Sequence, residues 1–293
     1  MDGVHQVSAT SAPALLVIGA TGGIGREVAR QAIERGWRVR ALTRHRVDEG
    51  SVEGCPVPGI EWVRGDAMSM PEVVAAARGM TCILHAANPP GYVRWRELAL
   101  PMLSNAIEAA RQSGARLILP GNVYNFGPDA GTVVSEASPQ HPLTRKGQVK
   151  VEMEAMLRQA ASEPSPVRSL VVRAGDFFGA HAPSSWMGHL LIKPGRPLRR
   201  VAYPGKPDVG HAWAYLPDLA DTLLRLMSLS LSHPERMADA DVVHFGGALV
   251  ASRHRDGPSD RAGIWSSRSA DPVCPLVVDQ RVEPVCARAA GDA

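Results

Sequence analysis

The segment Gly19-Ala20-Thr21-Gly22-Gly23-Ile24-Gly25 constrains this chain more than any other stretch. It closes the apolar run from Ala14 to Gly19. It opens a segment, Gly23 to Glu34, in which Ile24, Val28 and Ile33 recur at helical spacing while Arg26, Glu27, Arg30 and Gln31 occupy the other face. That pattern reads as a buried strand, a glycine turn and an amphipathic helix. Glycines at such a turn permit positive φ, let the backbone approach a pyrophosphate and let the helix pack closely on the strand. The helix start adds N–H groups without intrahelical partners and the positive end of its dipole. The pattern points to a dinucleotide-phosphate site, with Gly19, Thr21, Gly22, Gly23, Ile24 and Gly25 as candidate residues.

The following chain keeps alternating short apolar runs with amphipathic segments, as βα units around a parallel sheet require. Strands are predicted at 37–44, 60–66, 81–87, 115–121, 167–175 and 241–247, and helices at 71–78, 97–113, 146–161 and 216–230. The expected fold is α/β, a Rossmann-type doubly wound parallel sheet of about seven strands. Residues 14–175 form the expected NAD(P)-binding domain. The stretch 176–215 is dense in Gly, Pro, His and Trp and is expected to cap the carboxyl ends of the strands, so that 176–247 comprises a small substrate cap plus the last helix and strand. The segment 248–293 is expected to be an irregular tail, with strand-like composition at 273–278 alone.

Composition narrows the function. With 293 residues, 45% hydrophobic and 21% charged, the chain can bury a large core, which excludes fibrous and disordered classes. The 32 basic and 29 acidic residues are too balanced for a nucleic-acid footprint. No apolar run approaches the roughly 20 residues that span a bilayer, and the first residues lack a basic segment followed by an apolar one, so neither a membrane nor a secretory address is expected. Cys55, Cys82, Cys274 and Cys286 have neither CxxC nor Cys/His ligand spacing; no metal site is expected, and a reducing, cytoplasmic setting fits.

The second strand ends in Thr43-Arg44-His45-Arg46, without the acidic residue that holds the ribose hydroxyls of NAD. Arg44 suits a 2′-phosphate, so NADP is the preferred cofactor and NAD the alternative. In the cap, His181, His189 and His211 gather with Trp186 and Trp213, which reads either as a substrate pocket with proton carriers or as loop packing. Asp176 stands where it meets substrate or caps a turn, and the basic stretch 196–206 is an attractor for an acidic substrate or a solvated loop.

Taken together these motifs resemble the extended short-chain dehydrogenases/reductases, the NAD-dependent epimerase/dehydratase group. The resemblance is carried by the glycine turn, Gly65-Asp66, His85-Ala86-Ala87, Val123-Tyr124, Arg173-Ala174-Gly175-Asp176-Phe177-Phe178-Gly179 and Leu216-Pro217-Asp218-Leu219-Ala220, and runs from about residue 14 to 247. It implies that Asp66, followed by Ala67, faces the adenine and that Ala86 and Ala87 line the cofactor.

The family's chemistry uses a Tyr that moves a proton, a Lys one helical turn later that lowers the Tyr pKa and holds the nicotinamide ribose, and a Ser or Thr that polarises the substrate oxygen. The matching segment here is Lys146-Gly147-Gln148-Val149-Lys150, followed by Glu154. Lys150 and Glu154 agree with the family, but Lys146 stands at the Tyr position, and the Ser/Thr stretch reads Leu119-Pro120-Gly121-Asn122. The catalytic candidates are therefore Lys150, Lys146 as a desolvated general acid or else a solvated lysine at the mouth, Tyr124 as a phenol near the same strand end, and Asn122 as a donor to a substrate carbonyl. Two functions fit. One is an NAD(P)-dependent oxidoreductase or epimerase acting on a small carbonyl, hydroxyl or sugar-like substrate, with a homodimer as the candidate assembly. The other is a catalytically degenerate NADP(H)-binding sensor.

Overall fold

The computed structural model describes residues 12–48, 50–53, 55–89, 94–131, 133–182, 185 and 210–250. In chain order the elements are β1 (Ala14–Ile18), α1 (Gly23–Glu34), β2 (Arg38–Thr43), β3 (Ile60–Arg64), α2 (Met70–Ala77), β4 (Cys82–His85), α3 (Trp95–Ser113), β5 (Arg116–Asn122), α4 (Arg145–Ala161), β6 (Ser169–Ala174), β7 (Asp176–Phe178), β8 (His211–Tyr215), α5 (Leu216–Ser232), β9 (Ala240–His244) and β10 (Ala248–Val250).

Seven strands form one sheet in the order β3-β2-β1-β4-β5-β6-β9, every neighbour parallel. The expected doubly wound sheet is thus present. β1 is buried at all five positions because helices cover both faces, which is why its sequence is continuously apolar rather than alternating. On one face α1 and α5 pack through Val28, Ala32, Leu219, Leu223 and Met227; on the other, α2, α3 and α4 pack through Val73, Leu103, Ala106, Met153 and Leu157.

Strand order reverses between β1 and β4. β2 and β3 extend from one side of β1, and β5, β6 and β9 continue from β4. Such a switch point opens a crevice beyond the carboxyl ends of the two strands. The register sets Ile18 opposite His85, so the glycine turn after β1 lies beside Ala86 and Ala87 after β4.

A second sheet, β10-β8-β7, sits beyond β6. It adds detail to one expectation and departs from another. The cap region is framed by strands: β7 and β8 pair in parallel, with Asp176 opposite Trp213. The segment expected to be irregular from residue 248 instead begins with β10, antiparallel to β8, with Ala248 opposite Trp213. Three residues are too few to show a period of two in sequence, and their pairing partner is distant along the chain. Trp186, His189, the stretch 196–206 and the strand-like 273–278 lie outside the described residues. No described helix is long and apolar enough to cross a membrane.

Candidate functional site

The crevice at the switch point is shaped by absent side chains. Gly19 has φ +99°, and a Cβ there would lie 2.6 Å from the Ala87 nitrogen and 2.7 Å from the Ala86 carbonyl carbon. At Gly25 a Cβ would strike the Gly19 carbonyl oxygen. The turn is closed by Gly22 N–H donating to the Gly19 carbonyl at 3.1 Å. Gly22 caps α1 without a side-chain hydrogen bond, and no acidic residue stands in the first turn. The early N–H groups of α1 therefore have no capping acceptor from the helix's own residues, the arrangement that receives an anion. Thr21 and Gly22 are exposed at the lip, and Ile24 packs against the core under α1. From above, the His181 carbonyl and the Leu216 side chain approach within 3.2 Å of where a Gly23 Cβ would be. These residues fit a dinucleotide pyrophosphate.

Farther along the crevice, Arg44 is exposed just past β2, while Thr43 is buried with its hydroxyl accepting from His45 N–H. The Asp66 carboxylate accepts from Met68 N–H at 2.9 Å, and the Ala67 carbonyl accepts from Asn105 at 2.8 Å.

The other end is built where β5 meets α4. Val123–Asn125 forms a 3-10 turn, and Asn122 caps it, its side-chain oxygen accepting from Tyr124 N–H at 3.0 Å. That oxygen serves the backbone. The Tyr124 carbonyl packs so closely on the first turn of α4 that Gly147 has no room for a Cβ. Tyr124 is thereby placed beside the turn carrying Lys146 and Lys150. Its phenol donates to Asp176 Oδ1 at 2.6 Å, and His211 Nε2 meets Asp176 Oδ2 at 2.7 Å. The His211 ring stacks on Trp213, centroids 4.5 Å apart.

Lys150 Nζ lies 5.6 Å from the centre of the Trp95 ring, whose indole N–H donates to Asn88 at 2.7 Å. Burial pushes the Lys150 amine down to about 8, against the opposing pull of Glu154. His85 is buried at the end of β4, and neither ring nitrogen has a hydrogen-bond partner among the described residues. Burial first, and then the Lys150 charge, lower its pKa to about 4, so the ring is neutral at physiological pH. Glu154 holds α4 to β6 through a two-pronged pair with Arg173, at 3.0 and 2.7 Å.

Of the residues singled out from sequence, Tyr124 and the α4 turn carrying Lys146 and Lys150 are brought together, and Asn122 is turned to capping. Three relationships were not legible there. Trp95 under Lys150 lies before the predicted start of α3. His85 reads as one more residue of a buried strand. The Asp176–His211 pairing joins residues whose single-residue signals were ambiguous.

Residues 15–238 match the model of the NAD dependent epimerase/dehydratase family. The chain belongs to that family. Among curated proteins, it is 29% identical over 193 residues to the uncharacterized protein y4nL of Sinorhizobium fredii, covering 59% of this chain and 53% of that one. It is 26% identical over 124 residues to the decarboxylating sterol-4-alpha-carboxylate 3-dehydrogenase of Mus musculus, covering 41% of this chain and 32% of the enzyme. The match thus spans about half the length of the first relative and a third of the second. The fold is similar to that of UDP-glucose 4-epimerase from Thermus thermophilus, solved with NAD, at TM-score 0.63 and 22% identity over 82% of this chain and 80% of the epimerase.

Proposed function

We propose that this epimerase/dehydratase-family protein is an NAD(P)-dependent oxidoreductase or epimerase that acts by hydride transfer on a small carbonyl, hydroxyl or sugar-like substrate. Residues 14–175 hold the cofactor, and 176–247 shape the substrate side. The observation that carries the reading is the closure of the Gly19 turn on Ala86 and Ala87 at the switch point, which leaves the start of α1, without a side-chain cap from its own residues, facing the crevice. The nicotinamide, when bound, supplies the hydride chemistry. The chain positions the reactants. The α1 amides, with Thr21 and Ile24 beside them, receive the pyrophosphate. Asp66 and Ala67 border the adenine, and Lys150 holds the nicotinamide ribose. Lys146, in place of the family Tyr, adds positive charge at the mouth. Arg44, without an acidic neighbour at the end of β2, supports NADP over NAD.

The titration of NADPH and NADH fluorescence with the full chain tests this. Micromolar binding, tighter for NADPH, is expected, and Lys150→Ala should weaken it at least ~10-fold, since a charged hydrogen bond is worth roughly 1.5–3 kcal/mol. Absence of binding by either nucleotide would sink the proposal. Binding without turnover of any sugar nucleotide or small carbonyl would favour the sensor instead, the reading suggested by Lys146 at the Tyr position.

A further inference from the structure

We propose that His211 is the acid–base group of this site, held for that task by Asp176 and Tyr124; the inference rests on the hydride-transfer reading above and deepens it. The Asp176 carboxylate is central. One oxygen accepts the Tyr124 phenol at 2.6 Å, and the other lies 2.7 Å from His211 Nε2. An ionised carboxylate is acceptor-only, so the proton between Asp176 and His211 belongs to Nε2, and Nδ1 becomes the basic nitrogen of the neutral ring. The stack on Trp213, which is itself buried, sets the plane of the imidazole. Backbone packing fixes the rest. Gly175 packs on the Ala212 carbonyl with no room for a Cβ, locking β7 to β8 one residue before Asp176 and one after His211. A carboxylate that fixes tautomer and ring orientation, and stabilises the imidazolium once formed, is the logic of an orienting acid behind a histidine base.

Tyr124 is the weaker proton carrier in this arrangement. Its hydroxyl proton is committed to Asp176, and losing it would place a phenolate against a carboxylate. His211 has the opposite relation, because gaining a proton creates an attractive pair with the same carboxylate. In the oxidation direction a substrate hydroxyl would give its proton to His211 Nδ1, and an oxidised nicotinamide, when bound, would supply the acceptor for the hydride and its two electrons. The C–O single bond becomes a carbonyl, and the imidazolium remains paired with Asp176. Reduction reverses each transfer. Asp176 and Tyr124 are positioning residues in this scheme.

Nitrogen NMR of the full chain labelled with 15N-histidine tests the proposal, with His211→Gln identifying the resonances. A single tautomer protonated at Nε2 is expected, changing to a mixture in Asp176→Asn, and saturating NADPH should move the ring signals. Ring signals unmoved by NADPH that fluorescence shows to be bound would overturn the His211 assignment alone. Failure of both nucleotides to bind would overturn the underlying reading and this assignment with it. For any sugar nucleotide or small carbonyl that is turned over, His211→Ala should lose ~100-fold or more in kcat with KM little changed, and added imidazole should restore part of it. Asp176→Asn should lose about 10-fold or more, and Tyr124→Phe less. Abolished turnover in Tyr124→Phe, with His211→Gln and His211→Ala still active, would overturn the assignment in favour of the phenol.

Discussion

Lys150 is half-buried near the fully buried His85, close enough for its charge to disfavour protonation of the imidazole. Lys150 loses its proton near pH 8, so in the proposed site its attraction for an anionic cofactor would be full below that pH and fade above it. Cofactor affinity measured by fluorescence should fall between pH 7 and 9 in the native protein, and the fall should be absent in Lys150→Met. His85 works on stability. Its folded pKa of about 4 lies below the ordinary value of 6.5, so the unfolded chain binds the extra proton between those limits. Stability from this group is present above pH 6.5 and is lost as pH falls toward 4, by up to about 3 kcal/mol. Because both ring nitrogens lack partners among the described residues, His85→Leu should flatten that acid dependence in urea unfolding while costing little at pH 7.

At the scale of elements, the decisive contacts are those that hold α4 and the small sheet against the strand ends. The Glu154–Arg173 pair is buried on both sides, and Asn125 also donates to Glu154, tying the turn after β5 to the same anchor. Glu154→Gln should cost about 3–5 kcal/mol in urea unfolding, because it leaves the Arg173 guanidinium buried without its counter-charge. The elements themselves were largely readable in sequence. α1 appears at 23–34 as its periodicity requires, and α4 and α5 depart by one or two residues at their ends. β7 and β10 were not readable. Each is three residues long, and each exists because β8 offers it a pairing edge.

For the whole molecule, the parallel sheet predicts a gradient of opening. β1, β4 and β5 are central, and their side chains from Leu15 to Ile18 and Cys82 to Leu84 are at most 2% exposed. Their amides should exchange only through global unfolding, whereas β3 at the sheet edge and β10 in the small sheet should exchange through local opening, a contrast that hydrogen-exchange mass spectrometry resolves. The architecture also explains where sequence reasoning succeeded. A glycine turn between a strand and a helix is a local object: steric freedom at Gly19 and close packing at Gly25 act over a few residues, so pattern alone reveals the turn, the alternation of strands and helices and the family. The end where β5 meets α4 is not local. Tyr124, Asp176 and His211 come from three segments, and Lys150 meets Trp95 and His85 from two others. Their meeting depends on the register of parallel strands and on close backbone contacts such as Gly147 on Tyr124 and Gly175 on Ala212. Burial and electrostatic pairing arise from those juxtapositions, and they, not residue type, turned Asn122 into a cap and drew Asp176 and His211 into one hydrogen-bonded group.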